Sequence, residues 1–152
     1  MMIKNTRDTM SDVYLDALRI RNRVFVKEQG VPHSLEVGSP IEEAKAVHFV
    51  YYDEAGKAIG TVRLLIDDSC QSGLIQRMAV IKSARGSGVA AKLMANLTDF
   101  AQEHGVQKLW LHAQLSAIGF YEKMGYSQEG EIFVEAGIQH ITMTKTNFVN
   151  QT

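Results

Sequence analysis

The chain has 152 residues, enough for one ordinary domain with a buried core. Hydrophobic residues make up 45% and charged residues 22%, the balance of a globular protein and not of a disordered one. A formal net charge of -1, with Lys and Arg spread along the chain, argues against a general nucleic-acid binder, and the one cysteine, Cys70, excludes an internal disulfide framework.

The stretch Met1–Asp8 has no apolar segment of signal-peptide type, and no apolar run reaches bilayer length. These features, with the single cysteine, lead us to expect a cytoplasmic protein without a membrane partner. Repeats, low-complexity stretches and linkers are lacking, so residues 1–152 read as a single domain.

A first helix is expected from about Ser11 to Val26, capped by Ser11 or Asp12, with Val13, Leu15, Leu18 and Val24 on its apolar face. Gly30 and Pro32 end that region. His33 to Lys45 reads as a polar loop with a short helix. Ala46–Tyr52 is a strand by its β-branched and aromatic content, followed by a turn over Asp53–Lys57 and a second strand over Ala58–Ile66. A polar turn ending at Gly73 leads to a third strand, Leu74–Val80. Cys70 in that turn is an incidental loop cysteine, because the sequence nominates no base to activate it.

The clearest helix runs from near Arg85 to near His104. Val89, Leu93, Leu97 and Ala101 recur at four-residue spacing, with Gly105 as the stop. Lys108–Gln114 is a strand and Ser116–Met124 a short helix. Two further strands, around Ile132–Val134 and Ile138–Lys145, join through a turn at Ala136-Gly137. This order predicts a mixed α/β fold, with a sheet covered by helices and not all parallel.

The junction most suited to chemistry is Met78-Ala79-Val80-Ile81-Lys82-Ser83-Ala84-Arg85-Gly86-Ser87-Gly88-Val89-Ala90, a strand leading through glycines into a helix. Glycines allow close backbone approach, and the first amides of a helix have no internal partner. With the helix dipole these make an anion site suited to a pyrophosphate, to which Arg85 can add a charged contact. A P-loop would need Lys and Ser or Thr where Val89 and Ala90 stand. A dinucleotide fingerprint belongs after an early strand of a parallel unit. Small residues that permit tight helix packing are the alternative explanation of the same pattern.

Arg85-Gly86-Ser87-Gly88-Val89-Ala90 resembles the coenzyme A signature of the GNAT N-acetyltransferases, Arg/Gln-x-x-Gly-x-Gly/Ala. Arg77-Met78-Ala79-Val80 resembles that family's splayed central strand. Gln114-Leu115-Ser116-Ala117-Ile118-Gly119-Phe120-Tyr121-Glu122-Lys123-Met124-Gly125-Tyr126 resembles its second signature, with Gln114 where many members have Asn. Val24–Pro32, Leu111–Gln114 and Gly137–Met143 extend the likeness over nearly the whole chain, to the bacterial ElaA/YjcF-like subgroup.

The resemblance implies a GNAT fold with a mixed, mostly antiparallel central sheet flanked by helices. It implies acetyl-CoA as donor and direct attack by an amine, from a small molecule or a peptide, in a ternary complex. The backbone of Met78, Ala79 and Val80 would bond the pantetheine arm, and the Val80 amide would polarise the thioester carbonyl. Arg85, Gly86, Ser87, Gly88, Val89 and Ala90 would hold the pyrophosphate. Tyr121 matches the family's usual general acid. A free tyrosine titrates near 10 and a thiol near 8.5, so full proton transfer is uphill by about 2 kcal/mol and hydrogen-bond donation is the expected role. Tyr121 also shares a helical face with Ala117, Phe120 and Met124, as a core aromatic would. Gln114 would contact the pantetheine or orient Tyr121, or else satisfy a loop backbone.

The base is chosen among Glu28, His48, His112 and His140. His112 comes first because it shares a strand face with Gln114. Glu28, which borders the acceptor region in the family, reads as a base, an amine-binding carboxylate or a solvated charge. Arg19 and Arg23 suit an acidic substrate group or a solvated helix face. A non-catalytic acyl-CoA sensor and a longer acyl donor are the competing functions, and an exposed edge strand near the C-terminus would suit a homodimer.

Overall fold

The computed structural model describes residues 1–146, so residues 147–152 of the expected domain span lie outside the described residues. Seven strands form one mixed sheet in the order β1-β2-β3-β4-β5-β7-β6, flanked by helices. The chain divides into two compact units, Met1–Leu65 with Arg77–Phe100, and Ile66–Gln76 with the residues from Ala101 onward.

In the first unit, strand β1 (Met2–Thr6) pairs antiparallel with β2 (Val47–Tyr52), Met2 opposite Tyr52 and Thr6 opposite His48. Five residues with little alternation gave no strand signal, so β1 was not expected; its existence depends on the partner strand. Helix α1 (Asp12–Arg21) starts where the sequence suggests. The Ser11 hydroxyl accepts from the Tyr14 amide at 3.2 Å. The buried stripe is Ala17, Ile20, Arg21 and Val24, whereas Leu15 is exposed. Beyond Arg21 the helix widens into a π-turn segment over Asn22–Glu28, closed by the Gln29 amide donating to the Val24 carbonyl at 3.0 Å.

His33 to Lys45 is not a loop with one helix but two short helices, α2 (His33–Val37) and α3 (Pro40–Lys45). Ser39 caps α3 and Pro40 supplies the preset φ of a first helical turn. Strand β3 (Ala58–Ile66) pairs antiparallel with β2, and the intervening turn is tied by the Asp53 carboxylate, which accepts from the Ala55 and Lys57 amides at 2.9 Å.

The core of this unit contains Phe49, Val62, Leu64, Leu93 and Leu97, and also charge. Glu43, 3% exposed, accepts from Arg21 Nη2 at 2.5 Å, Arg63 Nη1 at 2.9 Å and the Tyr14 hydroxyl at 3.2 Å. Arg21 Nε donates to Glu36 at 2.5 Å, and His48 Nε2 meets the Glu43 carbonyl at 2.9 Å. Burial pushes the Glu43 carboxyl up, but the Arg21 hydrogen bond and the Arg21 and Arg63 charges hold it below its ordinary value. Burial also drives His48 down, which favours its neutral ring. The network ties α1, α2, α3, β2 and β3 together, and an arginine within the apolar stripe of α1 is its trace in the sequence.

Strand β4 (Ser72–Val80) begins at Ser72 and not Leu74, because the Asp67 carboxylate closes the preceding turn on the Ser72 hydroxyl at 2.7 Å. In the second unit β4 runs parallel to β5 (Lys108–Gln114), Ser72 opposite Lys108 and Ile75 opposite Leu111. Helix α4 (Val89–Glu103) buries Val89, Leu93, Leu97 and Ala101 as the spacing predicts, but starts at Val89 and not near Arg85. After β5 come a single 3-10 turn (Leu115–Ala117) and α5 (Ile118–Lys123), shorter than the expected Ser116–Met124. Strand β6 (Ser127–Glu135) is longer than Ile132–Val134 and pairs antiparallel with β7 (Ile138–Thr146), which pairs antiparallel with β5. β6 ends the strand order and exposes Ile132 and Val134.

Candidate functional site

In the first unit the features converge on the end of β4. Arg77 has φ 58, a left-handed conformation that costs a non-glycine residue about 1 kcal/mol. Its side chain is held in return. Nε donates to the Glu36 carbonyl at 3.1 Å and Nη2 to the Leu35 carbonyl at 3.4 Å. Met78, Ala79 and Val80 follow this irregularity.

Beyond Val80, the Ile81 amide donates to the Ile59 carbonyl at 3.0 Å and Lys82–Ala84 forms one 3-10 turn. Gly86 and Gly88 take φ values of 82° and 84°, which L side chains avoid. A Cβ built on either meets nothing within 4 Å, so these glycines serve backbone conformation and leave open space above it. The Gly88 φ also explains why Arg85–Gly88 precede the helix: α4 starts only where the Lys92 amide reaches the Gly88 carbonyl at 3.1 Å. Ser87 Oγ donates to the Ala84 carbonyl at 2.5 Å and closes the loop. Val89 and Ala90 stand in the first turn of α4, where amides lack internal acceptors.

Gly60 on β3 sets how closely α4 approaches. A Cβ there would lie 2.7 Å from Val89 Cγ1 and 3.1 Å from Leu93 Cδ1. The sequence pattern gave this glycine no role; its signal was a small residue inside an apolar strand.

Each of the three nitrogens of Arg85 makes a hydrogen bond. Its fork donates to Glu28 at 2.6 and 2.8 Å, and its Nε donates to the Val80 carbonyl at 2.9 Å. The Arg85 hydrogen bond, with the charges of Arg85, Lys82 and Arg23, holds the Glu28 carboxyl below its ordinary value, and Arg85 is raised in turn. The structure thus brings together Glu28, Val80 and Arg85. Arg19 and Arg23 line a shallow pocket of about 210 Å³ with Asp16, Ile20, Ala58 and Ile81, and Arg19 Nη1 lies 3.5 Å from Asp16. His48 is buried in the ionic network described above.

In the second unit β5 alternates cleanly. Leu109, Leu111 and Ala113 are buried, and Trp110, His112 and Gln114 share the other face. Gln114 pairs with His140 across the ladder and His112 with Thr142. His112 Nδ1 lies 3.3 Å from Glu135 Oε1, and the rings of Trp110 and Phe133 stand edge-on to it at 5.5 and 4.9 Å. Glu135 gave no signal in the sequence, because its nearness to His112 depends on the β6–β7 register.

Tyr121 on α5 is buried, with edge-on contacts to Phe120 at 5.0 Å and Tyr126 at 5.9 Å. Burial pushes its hydroxyl up to about 12. The neighbouring Tyr126 hydroxyl, wholly buried and without a hydrogen-bond partner, is raised further by burial and by Tyr121. Among the described residues, no cluster of His, Cys, Asp and Glu could hold a metal ion, and no helix is long and apolar enough to cross a membrane.

Residues 8–147 match the family model described as an acetyltransferase (GNAT) domain. The chain is 38% identical to the uncharacterized N-acetyltransferase YjcF of Bacillus subtilis, over 86% of this chain and 90% of that one. Its fold is similar to Escherichia coli ElaA (TM-score 0.82, 23% identity, covering 95% of this chain and 99% of that one). It is likewise similar to an acyl-CoA N-acyltransferase from Pseudomonas aeruginosa (TM-score 0.82, 24% identity, 95% and 99% covered).

Proposed function

From a chain that belongs to the GNAT acetyltransferase family, and is therefore an acyltransferase using acetyl-CoA, we propose an enzyme that acetylates a primary amine of a small molecule or peptide by direct attack in a ternary complex. The observation that carries the proposal is the paired left-handed Gly86 and Gly88 before α4, with open space where any Cβ would stand. Such a cradle, at the positive end of a helix, fits a pyrophosphate.

Bound acetyl-CoA supplies an activated thioester; the chain supplies position and proton traffic. The amides at Gly86, Ser87, Gly88, Val89 and Ala90 hold the pyrophosphate. Met78, Ala79 and Val80 present main-chain groups to the pantetheine arm, and the Val80 amide donates to the thioester carbonyl as charge develops there. Arg85 exchanges Glu28 for phosphate, and Glu28, released, holds the neutral acceptor amine by accepting a hydrogen bond from its N–H. Gln114 contacts the pantetheine amide. Tyr121 donates a hydrogen bond to the leaving thiolate, and His112 takes the proton from the attacking amine.

Gly88→Trp is the direct test. The position faces open space, so the strain of its φ of 84° falls on the loop and circular dichroism should show the fold retained, while coenzyme A binding by calorimetry is lost. Unchanged affinity would sink the assignment of this loop.

A further inference from the structure

We propose that Glu135 is a positioning residue for catalysis, holding His112 in the tautomer whose Nε2 can accept a proton. The inference rests on the reading of His112 as base. It follows from a short chain of groups on one face of the β5–β7–β6 sheet. A carboxylate can only accept, so at 3.3 Å from Glu135 Oε1 it is His112 Nδ1 that carries the hydrogen. The lone pair then resides on Nε2, as a general base requires. A free imidazole has no such bias from its surroundings.

His140 stands beside this pair: its Nδ1 donates to the Ile138 carbonyl at 2.8 Å, and its Nε2 lies 3.9 Å from Glu135 Oε2, beyond hydrogen-bond reach. Phe133 stacks on the His140 ring at 5.9 Å with an interplanar angle of 23° and meets His112 edge-on, so one ring packs against both histidines. His140 sits opposite Gln114 and Phe133, and Glu135 opposite Ile138. The strand register therefore sets the triad His112, Glu135 and His140. The charged and titratable groups facing His112 are Glu135 from β6 and His140 from β7. Further along the same strands, Lys108 on β5 and Glu129 on β6 lie 3.9 Å apart, and Glu131 stands between Glu129 and Glu135 on β6.

The proton path balances. The neutral amine attacks, its surplus proton passes to His112 Nε2, and the cation so formed keeps its Nδ1 hydrogen on the Glu135 carboxylate. The carboxylate is not protonated; it orients the ring and stabilises the imidazolium.

The test begins on the free protein, with no ligand. Long-range proton–nitrogen NMR of the histidine rings at high pH should show His112 with hydrogen on Nδ1 in the wild type. Glu135→Gln, which keeps an acceptor oxygen, should preserve that tautomer, and Glu135→Ala should lose it. A wild-type His112 with hydrogen on Nε2, or a tautomer unmoved in Glu135→Ala, would overturn the proposal. Thiol release from acetyl-CoA with a panel of amines supplies the second readout. Glu135→Ala should lower kcat about tenfold or more, part of the 10²–10⁴ that a general base contributes, and leave coenzyme A affinity unchanged. If His112→Ala leaves both rate and pH profile unchanged, the base reading fails, whatever the tautomer does. If His112→Ala is crippled and Glu135→Ala is not, only the present inference fails.

Discussion

Replacing Glu43 by Gln should be among the most damaging single changes in the first unit. The substitution keeps the shape of the side chain and removes its charge. Glu43 is 3% exposed and accepts from Arg21, Arg63 and Tyr14. With Glu36 it balances two arginines, Arg21 and Arg63, which are themselves 1% and 2% exposed. In the variant one positive charge remains uncompensated, and an amide nitrogen is turned toward donors. Breaking a buried pair from one side costs about 3–5 kcal/mol. That is a large part of the ~5–15 kcal/mol a domain possesses. At about 2–4 °C per kcal/mol for a chain of this size, Tm should fall by roughly 6–20 °C. Circular dichroism melts and urea titrations at neutral pH measure it. A loss below about 1 kcal/mol, the worth of an exposed pair, would refute the idea that this cluster behaves as a desolvated unit.

The same network predicts an acid response in two stages. His48 is depressed by burial, so its contribution is present above about pH 6.5 and lost as pH falls below that value. Glu43 is also depressed, so its contribution is full above about 4.5 and is lost as pH falls through its lower folded value. Melts from pH 8 to pH 3 should show both, and Glu43→Gln should shrink the lower one, leaving the smaller share of the exposed Glu28 and Asp67. Gly60→Ala places a methyl 2.7 Å from Val89 Cγ1. It should cost about 1–3 kcal/mol in thermal melts, and an unchanged Tm would show that α4 yields freely. Tyr121→Phe should lower kcat with coenzyme A affinity retained. An unaltered kcat with a good acceptor would remove the hydroxyl from the reaction.

Much of the fold was legible because it depends on local periodicity. The 15 residues of α4 bury the four positions spaced by four, and β5 alternates over the range its sequence suggests. What escaped depends on distant partners. β1 is a strand only because β2 offers an edge, and α2 and α3 are too short to show a period. The glycine cradle was visible as a motif, and its φ values supply the reason for the residues. The Arg85–Glu28 fork spans 57 positions and the His112–Glu135 contact 23, so neither leaves a spacing to read. The buried network draws on residues 14 to 77. Only Arg21, a charge within an apolar stripe, marks it in advance.

The elevated Tyr121 hydroxyl sharpens the division of labour in the proposed mechanism. Against a thiol near 8.5, a tyrosine pushed up to about 12 makes full proton transfer uphill by roughly 5 kcal/mol, about twice what an unperturbed tyrosine would face. A group so reluctant to ionise is a poor acid and a poor base, but it remains a neutral donor at every physiological pH. It can therefore stabilise negative charge on sulfur without committing its proton. The thiolate then leaves as an anion or takes a proton from water, and the amine's surplus proton must leave by another route. Of the candidates for that route, Glu28 is paired with Arg85 in the free protein and, once Arg85 turns to phosphate, is the carboxylate assigned to holding the acceptor. His48 is sealed in the core at 1% exposure. His112 is half-buried on a sheet face, with one nitrogen occupied by a carboxylate. The burial of Tyr121 and the pairing of His112 thus fit one proposal, in which the tyrosine donates a hydrogen bond to sulfur and the histidine takes the proton of the amine.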